Sequence, residues 1–184
     1  MHTRMRMILG AAGVLAVVAI GNKRLISGYG LGIGDHVLSG MLGAGWLDAS
    51  SNLDRRITIR PFPQTVPDGV DKVAFKRRYR EDLVALAGAC VVVCGIREKK
   101  GEAGFEVAPG VKQEVEIAAS LGRLIIPIGA TYGAAAELWK DQSAQIDRLD
   151  ARIPRDAFAV LGVEKVAPEE LGKALLAIVR TLGP

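Results

Sequence analysis

The sequence predicts an α/β domain built on a parallel sheet with helices on both faces, and three observations carry that expectation. Short apolar or β-branched runs alternate along the chain with longer stretches of helical periodicity. Two of the runs, Cys90-Val91-Val92-Val93-Cys94 and Leu124-Ile125-Ile126-Pro127-Ile128, are apolar at every position, as strands buried on both faces are. A loop with a glycine at every second position, Gly28-Tyr29-Gly30-Leu31-Gly32-Ile33-Gly34, joins a strand to a helix. With 184 residues, 49% hydrophobic and 24% charged, the chain suits one domain with a sizeable core. Residues 1–184 are therefore expected to form a single domain, with an atypical segment at 1–23.

Arg4 and Arg6 precede an apolar run from Met7 to Ile20. The order is that of a secretory signal, but the run is short for a membrane span. A buried helix over Gly10–Ile20, apolar nearly all round, is the expectation. A strand ordinarily precedes such a helix in doubly wound sheets. Only Met5–Leu9 could supply one, so the first strand is expected to be very short or lost. Arg24–Ser27 is the next strand. Behind the glycine loop, Asp35–Gly45 reads as a helix capped by Asp35, with Val37, Leu38, Met41 and Leu42 turned inward.

Ser50–Asp54 is a polar turn, and Arg56–Arg60 alternates as a strand until Pro61-Phe62-Pro63 stops it. From Asp71 to Ala87, Phe75, Tyr79, Leu83 and Leu86 recur at helical spacing as a core face, which leaves Arg80 off the stripe and free to point toward a ligand. Ala89–Cys94 is a central strand. Gly95–Pro109 is expected to be a mobile polar loop, and Val111–Leu121 a helix ended by Gly122. Leu124–Ile128 is a further buried strand, with its proline near the end where the ladder tolerates it. Gly129–Gly133 opens a helix through about Lys140, and Pro168–Leu182 closes the chain with Pro168 in its first turn.

Composition narrows the function. The net charge of +4 is mild, and no basic run with interleaved aromatics marks a nucleic-acid track. Positive charge concentrates only at Lys76-Arg77-Arg78 with Arg80. Cys90 and Cys94 stand four apart on one strand, too far for a disulfide, and no second Cys/His pair completes a zinc site. They read as buried thiols of a cytoplasmic protein with no membrane partner. The two histidines are His2 and His36, and no Gly-x-Ser-x-Gly elbow, Cys–His pair or metal cluster is present in the sequence. A pocket without chemical apparatus favours binding over turnover.

In open parallel sheets, ligands bind beyond the carboxyl ends of the strands. Those ends carry Ser27, Gly28, Gly30 and Gly32, then Arg60 and Phe62, then Gly95 and Arg97, and finally Gly129, Thr131 and Tyr132. Glycines admit close approach of backbone N–H groups, arginines supply charge, and the helix starts near Asp35 and Thr131 add dipoles. The set suits a ligand bearing more than one phosphate or ribose. The glycine loop departs from dinucleotide spacing and lacks the Lys-Ser/Thr ending of a P-loop. Glu114 and Glu116 either complement a helix dipole or supply a carboxylate for ribose hydroxyls, and Glu114 is the one expected to face the rim.

Five blocks occur in order: Ile26 to Gly34; Arg60-Pro61-Phe62-Pro63-Gln64; Tyr79-Arg80-Glu81-Asp82-Leu83 with Leu86-Ala87-Gly88; Gly110-Val111 leading to Glu114-Val115-Glu116-Ile117-Ala118; and Ile126-Pro127-Ile128-Gly129. Over about Arg24 to Trp139 the chain resembles the SLOG superfamily, a Rossmann-like fold. Within it, the likeness is to the STALD-type sensor domain that follows a sirtuin-like NAD-consuming domain in the Thoeris antiphage effector. The resemblance implies binding of a cyclic ADP-ribose isomer as signal, with no other cofactor. It implies that Arg80, Arg97 and Glu114 read that signal, and that the domain forms homo-oligomers and regulates an NADase effector. The sirtuin-like domain has no counterpart in these residues, so NAD cleavage is expected of another domain or polypeptide. Three alternatives are weighed beside it. The related Lonely Guy phosphoribohydrolases carry Pro-Gly-Gly-x-Gly-Thr-x-x-Glu, where this chain has Ala108-Pro109-Gly110-Val111-Lys112-Gln113-Glu114. A single-strand-binding branch would need stacking platforms, and aromatics are only 5% of the chain. A Rossmann-like module used only for assembly is the third.

Overall fold

The computed structural model describes residues 23–30, 33–47, 53–63, 65–99 and 101–182. The expected strand at Met5–Leu9, the helix at Gly10–Ile20, Gly32 and most of the Ser50–Asp54 turn lie outside them. The chain divides into two compact units, one running to Pro61 and resuming at Gln145–Pro184, the other spanning Phe62–Ala144.

In the first unit, β1 (Leu25–Ser27) and β2 (Ile57–Ile59) pair in parallel, Leu25 opposite Ile57 and Ser27 opposite Ile59. The Arg60 N–H extends the ladder by donating to the Ser27 carbonyl at 2.9 Å. Parallel neighbours need a crossover, and here it carries α1 (Gly34–Leu47) and the single turn α2 (Leu53–Arg56). Asp35 lies inside the first turn of α1 rather than capping it. Val37 and Leu38 are half-buried, but Leu42 is 50% exposed. The physical reason is length: α1 has 14 residues over strands of three, so its second half outruns the pair beneath it.

The same unit ends in α6 (Arg155–Val160) and α7 (Pro168–Thr181), which pack on each other. Leu171, Ala174, Leu175, Ile178 and Val179 recur at helical spacing and are all buried, as are Phe158 and Leu161. Pro168 occupies the first turn, where its missing N–H has no partner to lose. The sequence gives no sign of α6, because six residues are too few to show a period. Lys23 donates from Nζ to the Leu182 carbonyl at 2.5 Å, tying the two ends of the unit together.

The second unit begins with α3 (Lys72–Val84), whose N-cap Asp71 accepts from the N–H groups of Val73 and Ala74. Next, β3 (Ala89–Val93) pairs in parallel with β6 (Leu124–Ile128), from Ala89 opposite Leu124 to Val93 opposite Ile128. Between them lie an antiparallel hairpin, β4 (Ile96–Glu98) with β5 (Phe105–Val107), and then α4 (Pro109–Ser120). A 3₁₀ turn at Gly129–Thr131 leads from β6 into α5 (Gly133–Ala144). Both α4 and α5 pack on the β3–β6 pair. Parallel strands joined through helical crossovers make this the Rossmann-like α/β class that the sequence predicts.

Val84, Ile117 and Ala118 form a buried cluster against Cys90 and Ile125. Three expectations change. Within the expected loop 95–109, Ile96–Glu98 and Phe105–Val107 form a hairpin, with Ile96 opposite Val107, Arg97 opposite Glu106 and Glu98 opposite Phe105. Gly95, Gly101 and Gly104 supply its positive φ angles. β3 is not covered along its whole length: Val91 is 39% exposed, and among the described residues its one strand neighbour is β6. Leu86 is 41% exposed because α3 stops at Val84 and leaves it past the last turn. Among the described residues, no helix is long and apolar enough to cross a membrane.

Candidate functional site

The carboxyl ends of β1, β3 and β6 share one backbone signature, which β2 lacks. Among the described residues three non-glycine residues hold positive φ, and each follows one of these strands: Tyr29 (52°) after β1, Cys94 (56°) after β3, and Tyr132 (68°) after β6 and its 3₁₀ turn. Such conformations cost roughly 1–3 kcal/mol each and collect at binding sites.

In the first unit, Ser27 ends β1 and its Oγ accepts from the Tyr29 N–H at 3.1 Å. Among the described loop residues it is Tyr29, not a glycine, that takes the left-handed conformation. The Tyr29 ring lies over Gly34, where a Cβ would come within 2.9 Å of it. Its hydroxyl donates to the Asp35 carboxylate, which raises the Tyr29 pKa. The N–H groups of Ile33 and Gly34 donate to the Gly30 carbonyl at 3.1 and 2.8 Å. The expected phosphate cradle is therefore partly spent on its own backbone and has a carboxylate at its helix start. Beneath it, a crevice is lined by Leu25, Ser27, Tyr29, Gly34, Val37, Leu38, Ile57 and Ile59. Gly28 is half-buried in the loop; Gly30 has open space where a Cβ would be, and Arg60 is exposed at the end of β2.

In the second unit, Arg80 is the centre of a cluster. Expected free of the core face, its side chain is only 14% exposed. Its Cζ lies 4.4 Å from the centre of the Phe62 ring, and Tyr79 meets that ring edge-on at 5.3 Å. Nη1 donates to Gln113 Oε1 at 2.8 Å, and Nε stands 3.4 Å from Glu114 Oε1 without forming a hydrogen bond. Nη2 fills the space beside Gly110: a Cβ there would be 2.7 Å away. Gly110, Gln113 and Glu114 all come from α4, which starts behind Ala108 with no side-chain cap.

Glu114 is the sixth residue of α4 rather than part of its first turn, so the helix dipole does not account for it. Burial raises its carboxyl pKa and outweighs the opposing pull of Arg80. Burial also pushes the neighbouring Cys90 thiol up to about 11, with the Glu114 charge adding to the effect. Glu116, by contrast, is exposed.

The remaining strand-end residues have these surroundings. Thr131 is 1% exposed, donates to the Ile128 carbonyl at 2.6 Å and accepts from the Cys94 N–H at 2.8 Å. Its hydroxyl is a clasp between the ends of β3 and β6. Gly129 is buried against Trp139, where a Cβ would come within 2.7 Å. Gly95, at φ 84°, is held between Ala134 and Val111. Arg97 pairs with Glu106 across the hairpin at 2.7 Å, so its charge is already partnered. The Ala135 N–H at the start of α5 goes to the Cys94 carbonyl at 3.0 Å. Tyr132 is 42% exposed.

The structure thus gathers Phe62, Arg80 and Glu114, and places Gly95, Arg97, Gly129, Thr131 and Tyr132 at the strand ends of the same unit. Lys76, Gly110 and Gln113 also stand in this cluster, and the sequence reading placed none of them against Arg80. Lys76 lies one turn before Arg80 on α3, with its Nζ 5.6 Å from the Phe62 ring centre. That i−4 spacing was the available signal.

The model of the Sir2- and TIR-associating SLOG family, STALD, matches residues 11–182. A protein named NAD(+) hydrolase ThsA from Bacillus cereus (strain MSX-D12) is 29% identical over 162 residues, covering 86% of this chain and 33% of that protein. Its namesake from Cytobacillus dafuensis is 30% identical over 131 residues, covering 71% of this chain and 26% of its own. The one from Enterococcus faecium is 34% identical over 116 residues, or 63% and 23%. The chain spans between a quarter and a third of the first two relatives and 23% of the third. With nearly its whole length matched, the chain belongs to the Sir2- and TIR-associating SLOG (STALD) family.

Proposed function

We propose that this chain is a sensor domain for a cyclic ADP-ribose-type nucleotide, acting in antiphage defence by regulating an NAD-consuming effector. The observation that carries the reading is Arg80: a guanidinium held by Phe62, Gln113 and Glu114 with one edge against Gly110. A preorganised guanidinium binds phosphate with a charge-assisted bond and loses little entropy in doing so. The neighbouring carboxylate of Glu114 is suited to accept from ribose hydroxyls. Membership of the STALD family and relatives named NAD(+) hydrolase support the link to NAD chemistry. In this reading the chain binds its signal without cleaving it, works in the cytoplasm as a homo-oligomer, and leaves hydrolysis to a sirtuin-like domain.

The test is calorimetry of the purified chain with cyclic ADP-ribose isomers, using ADP-ribose, NAD and AMP as controls, with chromatography of each mixture for ribose phosphate. Micromolar or tighter binding of one cyclic isomer, lost in Arg80→Ala and accompanied by no product, is the expected result. Release of ribose phosphate from AMP would instead assign Glu114 to phosphoribohydrolase chemistry. Equal binding by Arg80→Ala would remove the site from this cluster.

A further inference from the structure

We infer that Lys76 is the second cation of this site, and that Lys76 with Arg80 selects ligands carrying a diphosphate over those carrying one phosphate. The inference rests on the cluster being a nucleotide site. The two residues stand one turn apart on α3, and both cations lie over the ring of Phe62, with Lys76 Nζ 5.6 Å and Arg80 Cζ 4.4 Å from its centre. One aromatic ring of the second unit therefore has two positive charges against it, 5.6 and 4.4 Å from its centre.

The two cations differ in what neutralises them. Arg80 stands 3.4 Å from the Glu114 carboxylate and donates to Gln113 and to the Lys76 carbonyl. Among the described residues no carboxylate pairs with Lys76, whose ammonium has only its contact with the ring. Arg80 alone, with Glu114 beside it, presents a nearly balanced pair to an incoming anion. Lys76 restores a net positive charge. A monophosphate can be met by the guanidinium, whereas adjacent phosphates spread their charge over more oxygens and reward a second donor. A lysine supplies that as a mobile point charge with three N–H groups. The contact with the ring is weak and leaves the ammonium hydrated, so the lysine remains able to reach a ligand.

The test uses inorganic pyrophosphate and inorganic phosphate as probes, by calorimetry on the whole chain at low salt. Wild type, Lys76→Gln and Lys76→Arg are compared, with thermal melts to check that each is folded. The expected result is pyrophosphate bound about tenfold more tightly than phosphate, a preference that shrinks to about twofold in Lys76→Gln and returns in Lys76→Arg. No preference in wild type, or a preference unchanged in Lys76→Gln, overturns the inference. The same three proteins are titrated with cyclic ADP-ribose isomers and AMP. If a cyclic isomer binds wild type and Lys76→Gln equally, the inference falls and the sensor reading stands. If no nucleotide binds while the pyrophosphate preference follows Lys76, the sensor reading falls and the diphosphate site stands.

Discussion

Gly110→Ala separates the site from the fold that carries it. Gly110 is the second residue of α4, and an added Cβ would meet Arg80 Nη2 at 2.7 Å, Cζ at 3.5 Å and Nε at 3.6 Å. All three belong to the tip of one flexible side chain, so the guanidinium moves and the backbone stays. Displacement takes Arg80 from Gln113, 2.8 Å away, and from its place 4.4 Å over Phe62. Losing one side-chain hydrogen bond costs about 1 kcal/mol, and alanine in place of glycine in a helix returns about 0.5–1 kcal/mol. Stability should therefore stay within about 1 kcal/mol of wild type in urea denaturation. A charge-assisted phosphate contact is worth about 1.5–3 kcal/mol, so ligand affinity by calorimetry should fall roughly ten- to hundredfold. Unchanged affinity would show that the position of Arg80 does not matter to binding. A stability loss above about 3 kcal/mol would show that the backbone, not Arg80, demands glycine there.

Thr131→Val removes the clasp between the Cys94 N–H and the Ile128 carbonyl while keeping the side-chain volume. With a buried donor left unpaired, chemical denaturation should show a loss of about 1–3 kcal/mol; no loss would mean the backbone finds another partner. Because burial raises the pKa of Glu114, the folded state holds its proton at pH values where the unfolded chain has released it. That contribution to stability is present below the unfolded pKa and disappears as pH rises through the folded one. Glu114→Gln should flatten this part of the melting-temperature profile, and an unaltered profile would refute the assignment. Arg152 grips Asp150 with Nε at 2.9 Å and Nη2 at 2.6 Å and holds its pKa down to about 2. In Arg152→Ala the Asp150 pKa should rise by NMR yet stay below the ordinary aspartate range, because the backbone N–H of residue 152 still donates to Oδ1 at 2.9 Å; an unchanged value would show that the guanidinium does not set the shift.

Much of the fold is legible in the sequence because burial leaves a mark on composition. The runs at Cys90–Cys94 and Leu124–Ile128 place β3 and β6 within one residue, and the stripe Leu171, Leu175, Ile178 places α7. Elements shorter than a period leave no such mark. The β4–β5 hairpin has three-residue strands, and α6 has six residues. The site is legible as residue types at strand ends. Arg80 is singled out by lying off its helix's apolar stripe and Glu114 by its place on the next helix, but their meeting across α3 and α4 is a long-range contact that no local pattern encodes.

The sequence by itself determined the α/β class, the alternation of elements and the choice of strand ends as the region of interest, since each follows from local periodicity and from where glycine and arginine fall. Only the tertiary structure decided which of those residues act together. It turned Thr131 inward as a clasp, paired Arg97 with Glu106, set Asp35 against Tyr29, and seated Arg80 with Lys76 over Phe62. The physical reason is that a side chain's charge and hydrogen bonds are spent on whatever the fold brings within a few ångströms, and sequence spacing fixes that distance only along a single helix or strand.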